Sequence, residues 1–181
     1  MQTAIVLAMH GAPPNDVSPL KVIELVGLHE GLEHMPAFVR KLLEPRHRRL
    51  DAWMRARPRT AQNDHFWAGS QELAEQLRAA TGLTVIVGFN EFCAPTLDEA
   101  LDQAAARAER VIVVTPMMTR GGEHSEVEIP AAIQRAQERH PQMMFKYIWP
   151  LDASAVARFL AEQMTPLRST FDSQAGKKSQ W

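Results

Sequence analysis

A chain of 181 residues, 45% apolar and 23% charged, can bury a core for one domain and still carry an elaboration. Its net charge of −1 supplies no field for nucleic acid or an anionic membrane, so neither is an expected partner. Cys93, the single cysteine, rules out an internal disulfide and a thiolate zinc site, which fits a reducing compartment.

Thr3 to Met9, "TAIVLAM", is a continuous apolar run and predicts a strand covered on both faces. The stretch before it has no basic region, and no apolar run approaches the roughly 20 residues of a membrane span. It therefore reads as a first strand rather than a signal peptide, and the cytoplasm is the expected address. His10–Gly11 and Pro13–Pro14 end the strand. Residues 15–64 read as a helical insertion. "SPLKVIELVGLHEGL" offers Ser18 as a cap and Pro19 in the first turn. "PAFVRKLLEPRHRRLDAWMRARP" continues it, with Pro45 expected to kink or break the helix and His47 expected on a solvated basic face. "GSQELAEQLRAATG" predicts a helix capped by Ser70 and stopped at Gly82.

From Leu83 the pattern is regular. Leu83–Phe89 is a strand, and "PTLDEALDQAAARAER" is a helix with Thr96 and Glu99 as a capping box. Arg110–Thr115 is the third strand. A helix near 125–139 has two readings of its start, because a Ser125/Glu128 capping box would leave Pro130 too deep. "QMMFKYIWP" is the fourth strand and "ASAVARFLAEQM" a closing helix. Residues 1–165 thus form one domain, with 166–181 a polar tail expected to be disordered. Glu123, Glu126 and Glu128 read as first-turn acids favoured by the helix dipole. The Met117–Met118 and Met143–Met144 pairs read as core filler.

Strands alternating with helices predict an α/β domain with a four-stranded parallel sheet. In open α/β sheets ligands sit beyond the carboxyl ends of the strands. The first strand is followed there by His10–Gly11 and the second by Asn90–Glu91. The third leads to a loop with Arg120, Gly121, Gly122 and His124, and the fourth to Trp149 and Asp152. Any one of these has an ordinary structural explanation, but together they bring two imidazoles and a carboxylate to one sheet edge. Neutral imidazole suits divalent iron, cobalt, nickel or zinc, and a carboxylate completes the shell or takes a proton. No GxGxxG, P-loop, HExxH or GxSxG pattern is present, so no nucleotide is expected.

Three stretches resemble one family. "IVLAMHG", "VIVGFNEFCAPTLDEAL" and "RVIVVTPMMTRGGEHSEVEIPAAIQRAQERHP" are similar, in order and spacing, to the short sirohydrochlorin chelatases. These are a branch of the class II, ATP-independent tetrapyrrole chelatases that also contains ferrochelatase. The likeness covers residues 3–12 and about 70–160; Glu123 is extra relative to the family pattern, and Glu128 stands where an Asp is usual. The resemblance implies a chelatase-like (flavodoxin-like) three-layer sandwich, with His10 and His124 holding the metal and Glu91 acting as ligand or base. It implies insertion of divalent cobalt, iron or nickel into sirohydrochlorin or a related tetrapyrrole, in cobalamin or siroheme biosynthesis. Gly11, Gly121 and Gly122 would let backbone approach the macrocycle. Arg120, with Arg46, Arg48 or Lys146, would meet its carboxylates, and Trp53, Phe66 or Trp67 would wall the ring. A homodimer is expected, since two-domain relatives build the cleft from two similar halves. The competing readings are a non-catalytic metal or tetrapyrrole carrier and an α/β scaffold without metal chemistry.

Overall fold

The first strand has two apolar faces, and both are buried. Ala4, Val6 and Ala8 point to one side and Ile5, Leu7 and Met9 to the other. Such a strand is stable only at the centre of a sheet with a layer on each face. The computed structural model describes residues 2–178, the side chains of residues 30, 33 and 166–178 excepted. In it β1 (Thr3–Met9) lies between β2 (Thr84–Phe89) and β3 (Arg110–Val114), and β4 (Met144–Tyr147) completes a parallel sheet of order β2-β1-β3-β4. This is the predicted three-layer α/β architecture.

One face packs on α4 (Leu97–Ala105) and α5 (Ile129–Arg139). Val6, Val111, Val113, Leu101 and Ile129 are fully buried there, each contributing roughly 1.5–3 kcal/mol relative to exposure. The other face packs on α3 (His65–Thr81) and on a hairpin of α1 (Pro19–His34) and α2 (Ala37–Arg55), through Leu25, Met54, Ala74 and their neighbours. The hairpin is the insertion after the first strand. No helix among the described residues is long and apolar enough to cross a membrane.

The Thr96/Glu99 capping box and the left-handed Gly82 cap form as expected. Other local expectations are corrected. Pro45 does not break α2, which runs through it from Ala37 to Arg55; one missing hydrogen bond is outweighed by the packing of Leu50, Trp53 and Met54. The cap of α3 is Asp64, whose carboxylate accepts from the Trp67 N–H, while Ser70 lies mid-helix and donates to the Phe66 carbonyl. Ser125 is no capping-box residue either, because its hydroxyl donates to the Gly122 carbonyl. The chain instead makes a π-turn over His124–Glu128, so that Pro130 falls in the first turn of α5, where no N–H is needed. Met117 packs against the core and Met143 is buried, but Met118 and Met144 are exposed. After β4 the backbone is helical from Ala153 to Lys178 as α6, where the sequence reading placed a tail from residue 166. Residues 179–181 of that tail lie outside the described residues.

Candidate metal centre

The β1–β2 ladder runs past the ends of both strands. The Asn90 N–H donates to the Met9 carbonyl at 2.9 Å and the Glu91 N–H to the His10 carbonyl at 2.8 Å. The register that pairs Met9 with Phe89 therefore sets His10 beside Glu91. Gly11 makes the crossing possible. Its φ is +101°, and a Cβ there would stand 2.0 Å from the Glu91 carbonyl oxygen, a distance no side chain can occupy.

His124 reaches the same point from the far end of the loop after β3. One ligating atom each from His10, Glu91 and His124 can be chosen with all three within 4.8 Å of one another. The two imidazoles meet edge to face with centroids 4.3 Å apart. Their tautomers follow from their partners. His10 Nδ1 lies 2.7 Å from the Gly11 carbonyl, which can only accept, so Nδ1 carries the proton. His124 Nδ1 lies 2.7 Å from Glu128 Oε2 and donates to that carboxylate. Each ring is left with its Nε2 lone pair for a ligand, and His124 has the carboxylate support that metal-binding histidines commonly carry.

The π-turn explains Glu128. It sets His124 and Glu128 four residues apart on one face, and Glu128 also accepts from Asn90 Nδ2 at 2.9 Å. Tyr147 on β4 donates to the Ser125 carbonyl at 3.0 Å and anchors the turn. Burial, with a smaller push from Glu126, raises the Tyr147 phenol to about 12, so it stays a donor. Glu128 is thus a positioning residue for His124 and not merely a first-turn acid.

The three groups line a cavity of ≈ 320 Å³ that the insertion closes from one side with His29, His47 and Arg55. His47 therefore stands at a cavity wall, half-buried, and burial together with His29 lowers its pKa. Two guanidinium groups lock the insertion to the site. Arg55 chelates Asp51 and donates to the carbonyls of Asn90 and Cys93. Arg59 donates to the carbonyls of Ala12 and Phe92 and pairs at 2.7 Å with buried Asp64. The loops after β1 and β2 are held between them.

The remaining predicted contacts are not brought to the cavity. Arg120 is exposed and pairs with Glu126, to which the Gly121 N–H also donates; Gly121 takes φ +88°, and the loop folds on itself through the Gly122 carbonyl. Arg46 pairs with Glu24 and Arg48 with Glu44, and Lys146 is exposed on β4. Trp53 lies under Lys21 and Arg57, Trp67 is partly buried against the core, and Phe66 is partly exposed on α3. Trp149 stacks on Tyr147, and Asp152 accepts from the Ala155 N–H at the start of α6. Sequence reasoning missed His29, His47 and Arg55, because no helical periodicity says which face of an insertion will meet a sheet edge it does not yet touch.

A family model described as CbiX matches residues 61–166. A sirohydrochlorin cobaltochelatase of Priestia megaterium is 36% identical over 63 residues, covering 35% of this chain and 21% of that protein. One of Methanopyrus kandleri is 45% identical over 47 residues, covering 26% and 33%. The chain thus spans a third or less of the curated relatives it matches. A structure of a putative cobalamin biosynthesis CbiX protein from Marinobacter aquaeolei aligns with a TM-score of 0.48 at 15% identity, over 91% of this chain and 98% of that one.

Proposed function

Because this chain belongs to the CbiX family, we propose that it inserts a divalent metal ion into sirohydrochlorin or a related tetrapyrrole, in cobalamin or siroheme biosynthesis. The observation that carries the reading is the convergence of His10, Glu91 and His124 on one cavity beyond the sheet edge. Cobalt is the leading metal, since both curated relatives are named cobaltochelatases; iron and nickel suit the same ligands.

Insertion replaces two pyrrole protons by the ion, and the macrocycle shields its nitrogens. The protein supports the exchange by presenting a partly dehydrated metal from one face and by receiving protons. His10 Nε2 and His124 Nε2 hold the metal substrate, with Glu128 keeping the His124 tautomer. Glu91 stands beside both and is the group to accept one pyrrole proton as the metal leaves the imidazoles, and a vacated imidazole Nε2 takes the other. No step consumes a nucleotide, and buried Cys93 fits the reducing cytoplasm.

A homodimer is part of the proposal. About 320 Å³ is at the small end of ligand cavities, and a tetrapyrrole needs more wall. The β3–β4 side of the sheet leaves Met144 exposed and Ile112 and Val114 partly so, while α6 keeps Phe159, Leu160 and Met164 half exposed. A second copy can cover both surfaces.

The test is metallation of sirohydrochlorin by the purified protein with cobalt, iron and nickel, followed by absorbance, in the parent, His10→Ala, His124→Ala and the double variant. Each single change is expected to abolish most of the rate, with little further loss in the double because the two act as a unit. Glu91→Gln should slow insertion while retaining thermal stability. Stoichiometric cobalt binding without metallation would identify a carrier instead.

A further inference from the structure

Two histidines in the cavity wall have no role in the insertion proposed above. His29 lies near the end of α1 and His47 near the middle of α2, and both belong to the insertion, ahead of the family-matched residues 61–166. The antiparallel hairpin stacks their imidazoles with centroids 5.6 Å apart and planes 28° apart. Both line the cavity that holds His10, Glu91 and His124.

Exposure falls in order along this wall. The His29 side chain is 48% exposed and that of Glu91 22%, close to the 20% of His124. His29 Nε2 stands 3.8 Å from Glu91 Oε1, too far for a hydrogen bond and close enough for one ion to touch both. Half exposed, the His29 ring has room to turn. Packing alone does not call for imidazole at His29, since a half-exposed ring contributes little apolar burial to a hairpin that already buries Leu25 and Met54.

We infer that His29 and His47 form an outer divalent-metal site at the mouth of the cavity, and that Glu91 carries the ion from them to His10 and His124. The inference rests on reading the inner three residues as a metal centre. The transfer is a ligand exchange. A Glu91 oxygen binds the ion before His29 releases it, and the inner imidazoles then replace the outer ones, with no electron moved. The carboxylate is suited to this because it is anionic and offers two oxygens.

The experiment is a calorimetric titration of the metal-free full chain with cobalt, in the parent, His29→Ala/His47→Ala and His10→Ala/His124→Ala. The expected stoichiometries are two ions per chain in the parent and one in each double variant. His29→Gln/His47→Gln, which keeps side-chain bulk in the hairpin, should match the outer alanine variant, with circular dichroism confirming parental helix content. In metallation assays the outer variants should need about fivefold more cobalt or greater for half-maximal rate, because they lose a locally held supply of ion. One ion per parent chain, or an outer variant that binds two ions and shows the parental cobalt dependence, would overturn the inference. A parent that binds two ions but metallates nothing would overturn the chelatase reading and leave the outer site standing.

Discussion

Gly11→Ala is the sharpest single perturbation of the candidate metal centre, because the geometry specifies what it does. A Cβ at residue 11 would lie 2.0 Å from the Glu91 carbonyl oxygen and 2.9 Å from the carbonyl carbon. Both are backbone atoms, so no side chain can swing away. Holding alanine at φ +101° adds strain of about 1–2 kcal/mol. Separating the two loops also removes the Glu91 N–H to His10 carbonyl bond, worth about 1 kcal/mol. The combined loss is about 2–4 kcal/mol, which lowers Tm by about 5–15 °C in a chain of this size. Because Glu91 moves with its loop, cobalt affinity should fall at least about tenfold. Gly82→Ala is the control. It shares a positive φ of +67°, but no atom lies within 4 Å of its new Cβ. It should cost about 1 kcal/mol and leave cobalt affinity unchanged. Circular-dichroism melts and cobalt titration read both quantities. A Gly11→Ala protein with Tm within about 2 °C of the parent and parental cobalt affinity would refute the claim that this contact builds the site.

Three further outcomes follow from the same geometry. Arg59→Ala strands the Asp64 carboxylate, whose side chain is 1% exposed; chemical denaturation should show a loss of about 3–5 kcal/mol. Glu128→Gln removes the charge that holds His124 Nδ1–H and should weaken cobalt binding about tenfold, read by calorimetry, while far-UV circular dichroism stays parental. For Asp98, burial pushes the pKa up, but hydrogen bonds from Arg135 and Arg139 and their charges outweigh it and hold the carboxyl below its usual value. A carboxyl lowered on folding contributes stability that is complete above its unfolded pKa, near 3.9, and is lost as pH falls through the folded value. Asp98→Asn should therefore cost about 1 kcal/mol at neutral pH, with the difference from the parent shrinking below about pH 4 in urea melts at stepped pH.

The order of strands and helices was legible because it depends on local chemistry. Apolar runs such as Ala4–Met9 must be covered on both sides, and the capping residues Thr96 and Glu99 act within one turn. His10, Glu91 and His124 could be nominated because each follows a strand, and strands in a parallel sheet share one carboxyl edge. Other features could not be read locally. The π-turn that pairs His124 with Glu128 depends on where Pro130 meets the packed start of α5 and on the Tyr147 hydroxyl reaching over from β4. Asp64, rather than Ser70, caps α3 because Arg59 and the loops after β1 and β2 bury that carboxylate in place. His47 looks solvated in a basic helical run, and only the docking of the α1–α2 hairpin turns it toward the cavity with His29. Local sequence determines which elements form, since their hydrogen bonds close within a few residues. Which side chains meet across more than 30 positions is decided by packing, because shape and burial choose among faces that are equivalent along the chain.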